Sequence, residues 1–323
     1  MSNKTSIILK SVPYLKGVLL LICATLLFQH LRSNWQEYLS ILSNVSLLTL
    51  VLSFTTYLFF LGLTSVALYK SSRHLTWSVV NFVSYFFINS TSSVVGFLLP
   101  SGATPTRLVL LCKLLKIEKS LSLVITLRIS NSAMLTNALL SLLLCSSYVF
   151  YYDQQQSGTN NLTKLLSAIA LISAGLLTFN LLLHSKGANQ SEKKWRYIIH
   201  MFQRASFESK TQFYTLTILS FFQTVAFAFI YKVLDNDINA GLTFVSCVLL
   251  VAINSITMLF PLTPGNIGIR EGLFYFISPY IGVDPNSLVA ISLIDRALQF
   301  AFFSIISASS FLFINKPLKL NNG

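Results

Sequence analysis

The sequence predicts an all-α polytopic membrane protein built as two inverted repeats, each with three full crossings and one broken, re-entrant helical hairpin. Three observations carry this prediction. The chain is 54% apolar and 10% charged, with a mean hydropathy of +0.68, a balance that no soluble chain of 323 residues sustains. Its Lys and Arg residues gather on one face once ten apolar segments are threaded alternately through a bilayer. Two of those segments follow Pro/Gly interruptions at corresponding places in the two halves. Freed backbone groups in lipid are tolerated only where protein or a watery cavity satisfies them, so both breaks belong inside the protein.

The segments run in order as follows. Segment 15–31 comes after Lys4, Lys10 and Lys16 and has no small-residue cleavage site behind it, so it is expected to stay as a membrane helix. Segments 45–69 and 77–99 are long enough to cross. The next, 104–117, follows Pro100-Ser101-Gly102-Ala103-Thr104-Pro105, and 265–280 follows Pro261-Leu262-Thr263-Pro264-Gly265-Asn266-Ile267-Gly268. Both short segments reach roughly 20–25 Å, less than the roughly 30 Å hydrocarbon core. Each therefore reads as the return leg of a hairpin, and the expected break residues are Pro100, Gly102, Pro105, Pro261, Pro264, Gly265, Gly268 and Gly272. Segments 121–151, 162–183, 213–234, 240–260 and 286–314 complete the set.

Residues 1–151 form the first transmembrane repeat, with hairpin 77–117; residues 152–323 form the second, with hairpin 240–280 and a basic cytoplasmic loop at 184–212. Three crossings per half is an odd number, so the second copy enters from the opposite face. In the loop, Trp195, Ile198, Ile199 and Phe202 recur at helical spacing, which suits either an interfacial helix or a plain connector. Sixteen Lys and Arg fall on the face that carries both termini, against Arg32, Lys164 and Lys232 opposite. That face is the cytoplasmic one, in an inner (plasma) membrane. The net charge of +13 is thus topology, and no nucleic-acid partner is expected.

Six charged residues resist placement in any loop: Arg107, Arg128, Arg270, Glu271, Asp295 and Arg296. Charges at membrane depth are costly and mark function by default. Pairing Arg270 with Asp295 and Glu271 with Arg296 leaves an interior excess of about +2, from Arg107 and Arg128. A guanidinium fork fits phosphate oxygens, so the six are candidate substrate-binding residues for a phosphate-bearing lipid headgroup. Snorkelling to an interface is the alternative for Arg107.

The stretch Pro261 to Gly272, then Gly282-Val283, Ala290 and the Asp295-Arg296 helix, resembles the C-terminal signature of the lysylphosphatidylglycerol synthase transmembrane region, the flippase-like part of the multiple peptide resistance factors. Pro100 to Arg107, with Arg128 beyond, is similar to an earlier segment of that family. Asn266 stands where the family has glycine, and Pro105 near another such place. The resemblance implies movement of an anionic or modified (glyco-, polyprenyl- or aminoacyl-) lipid between leaflets, with Arg270, Glu271 and Arg296 as functional positions. It also leads us to expect a stand-alone member without the family's soluble synthase domain.

Two other functional classes compete. One is a membrane-embedded enzyme using Glu271 or Asp295 as general base. His30, His74, His184 and His200 lie at span ends or in loops, and no metal-ligand spacing occurs, so neither catalytic activity nor a metal or cofactor is expected. The other is a non-transporting partner of a lipid-modifying enzyme. Cys23, Cys112, Cys145 and Cys247 sit in or beside apolar runs without CxxC spacing, which implies no disulfide framework.

Overall fold

The structure is a computed structural model that describes residues 43–72, 79–99, 102–153, 210–257 and 263–314, with positions 32, 36 and 40. Segments 15–31 and 162–183, almost all of loop 184–212, and the break residues Pro100 and Pro261 lie outside the described residues. Within them every element is helical: α1 Leu47–Ser71, α2 Val79–Leu98, α3 Ala103–Leu114, α4 Lys119–Asp153, α5 Lys210–Ile238, α6 Phe244–Thr257, α7 Ile269–Ile277 and α8 Pro285–Ile314. Two 3-10 turns, Pro264–Asn266 and Ser278–Ile281, flank α7. Among the described residues four helices are long and apolar enough to cross a membrane, over Leu47–Ser71, Lys119–Leu144, Thr211–Ile238 and Pro285–Leu312. The chain is a multi-pass membrane protein. By contrast α7 and α3 span about 14 and 18 Å at the helical rise, too little to cross alone.

The helices are sorted by face in the manner of lipid-embedded proteins. On α1, Leu47, Leu48, Val51, Leu52, Leu58 and Phe59 point outward, while Thr49, Ser53, Tyr57, Leu61 and Ser65 recur at four-residue spacing on the buried side. Lipid tails are as apolar as leucine, so small and polar side chains, not leucines, mark helix contacts. Accordingly Ser132 Oγ meets Ser220 Oγ at 3.1 Å and Thr224 donates to Asn137 Oδ1 at 2.7 Å, across α4 and α5.

Helix α1 runs antiparallel to α5. The Ser46 N–H donates to Asp237 Oδ2 at 2.6 Å near one end, and Gln212 Nε2 donates to the Lys70 carbonyl at 3.2 Å near the other. The remaining packing partners come in matched sets: α2 lies on α8 as α6 lies on α4, α1 on α4 as α5 on α8, and α3 on α4 as α7 on α8. The starts of α7 and α8 trail those of α3 and α4 by the same interval (103 to 269, 119 to 285).

Helices α2 and α3 approach closely. A Cβ on Gly96 would come within 2.9 Å of the Ala103 Cβ, so only glycine lets the two legs approach so closely. Two expected break residues fall elsewhere. Pro105 occupies the first turn of α3, where its missing N–H breaks no bond, and Gly272 is inside α7, donating its N–H to the Gly268 carbonyl at 3.0 Å. Among the described residues the breaks are Gly102 on one side and Pro264, Gly265 and Gly268 on the other.

Candidate functional site

The second break is the hub. Pro264 cannot donate, and Gly265 adopts φ +54, a left-handed conformation that turns the chain and leaves its carbonyl outside any helix. Asn266 follows at φ +58, and Gly268 at φ +85 directs the chain into α7. An exposed carbonyl at this depth needs a donor, and α8 provides one. Arg296, 7% exposed, donates through Nη1 to the Gly265 carbonyl and through Nη2 to the Asn266 carbonyl at 3.0 Å, while its Nε bonds Glu271 Oε1 at 2.6 Å. Three edges of one guanidinium thus meet three acceptors.

Glu271 completes the joint. Its Oε2 accepts the Gly268 N–H at 2.8 Å, capping the first turn of α7, where a carboxylate also suits the helix dipole. Its Oε1 additionally accepts from Ser292 Oγ at 2.7 Å. One turn along α8, Asp295 receives Arg270 Nη2 at 2.5 Å, Gln299 Nε2 at 3.0 and 2.9 Å on its two oxygens, and the Tyr57 hydroxyl on Oδ1. Tyr57 also reaches the Asp295 carbonyl at 3.1 Å. The Tyr231 and Phe274 rings cover the Arg270 guanidinium, each with its centroid 5.4 Å from Cζ. Arg270, Glu271 and Asp295 are at most 2% exposed, so the network is sealed and electrically balanced.

Both ion pairs are those the sequence leads one to expect. Four of the six candidate charges therefore converge where α7 meets α8. Arg107 lies on α3 and Arg128 on α4. Arg128 is 2% exposed, whereas Arg107 is partly exposed with its Nε buried and unpartnered among the described residues. Four partners escaped sequence reasoning. Ser292 and Gln299 lie three to four residues from Asp295 and Arg296, so helical spacing is a signal for them. Tyr57 and Tyr231, on α1 and α5, leave no such trace.

The first hairpin reaches this hub. The Phe97 ring near the end of α2 lies so close to Gly265 that a Cβ there would be 3.0 Å from Phe97 Cδ1 and 3.3 Å from Arg296 Nη1. Phe97 also stacks edge-on against Phe300 of α8, with centroids 6.2 Å apart, and Thr91 and Ser307 share a 2.6 Å hydrogen bond further along the seam. Among the described residues no cluster of His, Cys, Asp and Glu could hold a metal ion. Chemically the arrangement is a buried, balanced pair of ion pairs that ties the break before α7 to α8.

No curated protein and no solved structure matches the chain. Residues 14–307 match the family model described as the lysylphosphatidylglycerol synthase TM region. That match covers nearly the whole sequence and includes both breaks and all six candidate charges, so the chain belongs to the lysylphosphatidylglycerol synthase TM region family.

Proposed function

We propose that this protein carries a lipid with a phosphate-bearing headgroup between the leaflets of the plasma membrane, as a flippase or lipid transporter with both termini in the cytoplasm. One observation carries the reading above the others: the end of the first hairpin rests on the break of the second, at the charge cluster, through Phe97, Gly265 and Arg296. Interrupted helices that meet at the protein centre are the construction transporters use for a site at the bilayer midplane. The family is one of membrane lipid metabolism, which agrees with a lipid partner.

Alternating access needs two comparable halves, and an inverted repeat is part of this proposal. The matched packing partners and the constant interval between helix starts support it. So does the antiparallel pairing of α1 with α5, because a two-fold axis in the membrane plane maps the Ser46–Asp237 contact onto the Lys70–Gln212 contact. In this scheme both hairpins are re-entrant, and their rocking moves the headgroup past the hub. The sealed ion pairs form the rigid joint, and Arg107, partly exposed on α3, supplies the cationic group that draws the anion in.

A transporter accounts for the acids better than an enzyme does. Glu271 and Asp295 are each held by an arginine and at least two further donors, which leaves neither as a general base. A lipid-modifying enzyme supplying the cargo remains within the proposal as a partner.

The test is leaflet movement of labelled anionic and zwitterionic lipids in vesicles holding the purified protein, with Arg107→Gln alongside. Faster movement of the anionic lipid, slowed in the variant, is the expected result. Equal rates with and without folded wild-type protein, across lipid classes, would refute translocation.

A further inference from the structure

Three polar groups beside the Arg270–Asp295 pair are buried yet have no hydrogen-bond partner among the described residues: Tyr231 Oη, Arg270 Nε and Ser53 Oγ. Tyr231 and Ser53 are 0% exposed and Arg270 2%. Their proximity follows from the packing. The Tyr231 ring lies over the guanidinium of Arg270. Ser53 is one turn before Tyr57 on α1, on the face that reaches Asp295. The register of α1 against α5, with Ser46 beside Asp237 and Thr64 beside Gln223, sets Ser53 level with about residue 231.

Buried polar groups are nearly always satisfied, so unsatisfied ones on the three helices that meet at this ion pair call for an explanation. The neighbouring carboxylate cannot be it, since both Asp295 oxygens are already taken by Tyr57, Gln299 and Arg270. An ordered water does not fit either, because the three atoms have essentially no accessible surface. The groups also share one polarity. Arginine Nε only donates, and both hydroxyls donate when a strong acceptor is near. With Arg270 Nε able only to donate and both hydroxyls able to donate beside it, the patch suits an oxyanion.

We propose that Arg270 Nε, Tyr231 Oη and Ser53 Oγ form a recognition patch for a phosphate oxygen, uncovered when the two halves part, with the Tyr231 hydroxyl as its specificity-determining donor. The inference rests on the translocation reading and names the part of the cluster that touches cargo. The ion-paired edges of Arg270, Glu271 and Arg296 hold the joint, while the unpaired edge of Arg270 faces the ligand. The occluded conformation strands these donors, and a phosphate oxygen entering the opened site satisfies them, so cargo favours the open state by differential contacts.

The experiment uses the full chain with Tyr231→Phe and Ser53→Ala. Thermal unfolding is followed in micelles doped with phosphatidylglycerol, in neutral micelles, and in neutral micelles with inorganic phosphate. Movement of labelled phosphatidylglycerol is measured in vesicles. Tyr231→Phe keeps the ring on Arg270 and removes a hydroxyl with no partner in the sealed state. It is expected to unfold at or above the wild-type temperature in neutral micelles, to lose most of the phosphatidylglycerol-induced rise, and to move the lipid about tenfold more slowly, the value of one charge-assisted hydrogen bond. Ser53→Ala is expected to shift in the same directions.

A Tyr231→Phe protein that unfolds earlier in neutral micelles would overturn the proposal, because the hydroxyl then has a partner when sealed. Full retention of the lipid-induced rise would overturn it too, as would a wild type stabilised by neither phosphate source. A lipid-induced rise lost in Tyr231→Phe, without lipid movement by wild type, would sink translocation and keep the patch. An equal rise with inorganic phosphate would keep the patch and make free phosphate its ligand.

Discussion

Replacing Arg296 tests the joint most severely. Arg296→Met roughly preserves the length and apolar stem of the side chain but removes three donors at once, from Glu271 Oε1, the Gly265 carbonyl and the Asn266 carbonyl. Breaking a buried ion pair from one side costs about 3–5 kcal/mol, because the remaining charge is stranded. Glu271 keeps the Gly268 N–H and Ser292 Oγ, which places its share at about 3 kcal/mol, the low end. Each stranded carbonyl adds about 1–3 kcal/mol. The sum is about 5–9 kcal/mol, comparable with the whole stability of an ordinary domain.

A double-mutant cycle separates the two parts. Glu271→Gln combined with Arg296→Met removes the stranded charge, so about 3 kcal/mol should return while the loss from the carbonyls persists. Arg296→Lys keeps the charge but offers a compact ammonium in place of a planar fork, and should recover the Glu271 contact more fully than the two carbonyls. Reversible unfolding in mixed micelles, read by tryptophan fluorescence or by accessibility of an introduced cysteine, gives the numbers. A loss below about 1 kcal/mol for Arg296→Met, or a double variant less stable than the single, would refute the idea that Arg296 holds the break together.

Gly265→Ala should destabilise by about 1–3 kcal/mol, from strain at φ +54 and from the approach of Phe97, and a companion Phe97→Ala should recover only the second part. Unfolding midpoints decide this. Tyr57→Phe leaves the aromatic packing with Phe302 and Phe303 and removes one donor from Asp295, so a cost of about 1.5–3 kcal/mol is expected, against near zero if Gln299 and Arg270 suffice. Cysteines at Ser46 and Asp237 should cross-link readily under mild oxidation, and a pair at Ser46 and Gln212 should not, since antiparallel packing sets 46 and 212 at opposite ends of the α1–α5 pair. Gel mobility after oxidation reads the outcome. Gly96→Val should prevent α2 and α3 from closing, lowering stability by about 1–3 kcal/mol, whereas Gly272→Ala, with open space around it, should cost nothing or stabilise slightly.

How much of this was legible in the chain depends on how local each constraint is. Proline and glycine placement located the interruptions to within a few residues, because a backbone with unpaired groups cannot sit in hydrocarbon wherever the rest of the protein lies. Pro105 and Gly272 were misplaced into the breaks for the converse reason: the first turn of a helix has unpaired N–H groups anyway, so proline fits there, and glycine is tolerated inside a helix. The charge pairs were legible because a buried acid needs a cation, and α8 had Arg296 and Asp295 adjacent to serve α7.

By itself, then, the sequence determined the membrane class, the order of the described helices, the two interruptions and the two ion pairs between α7 and α8. Each of those follows from rules that act within a few residues of chain, imposed by the cost of polar groups in lipid. Tertiary structure alone decided that Arg296 satisfies the carbonyls of Gly265 and Asn266, that Phe97 closes on Gly265, and that Tyr57 and Tyr231 reach the same ion pair from α1 and α5. Those contacts join residues up to 238 positions apart, and the shape of packed helices, not any local pattern, brings them together.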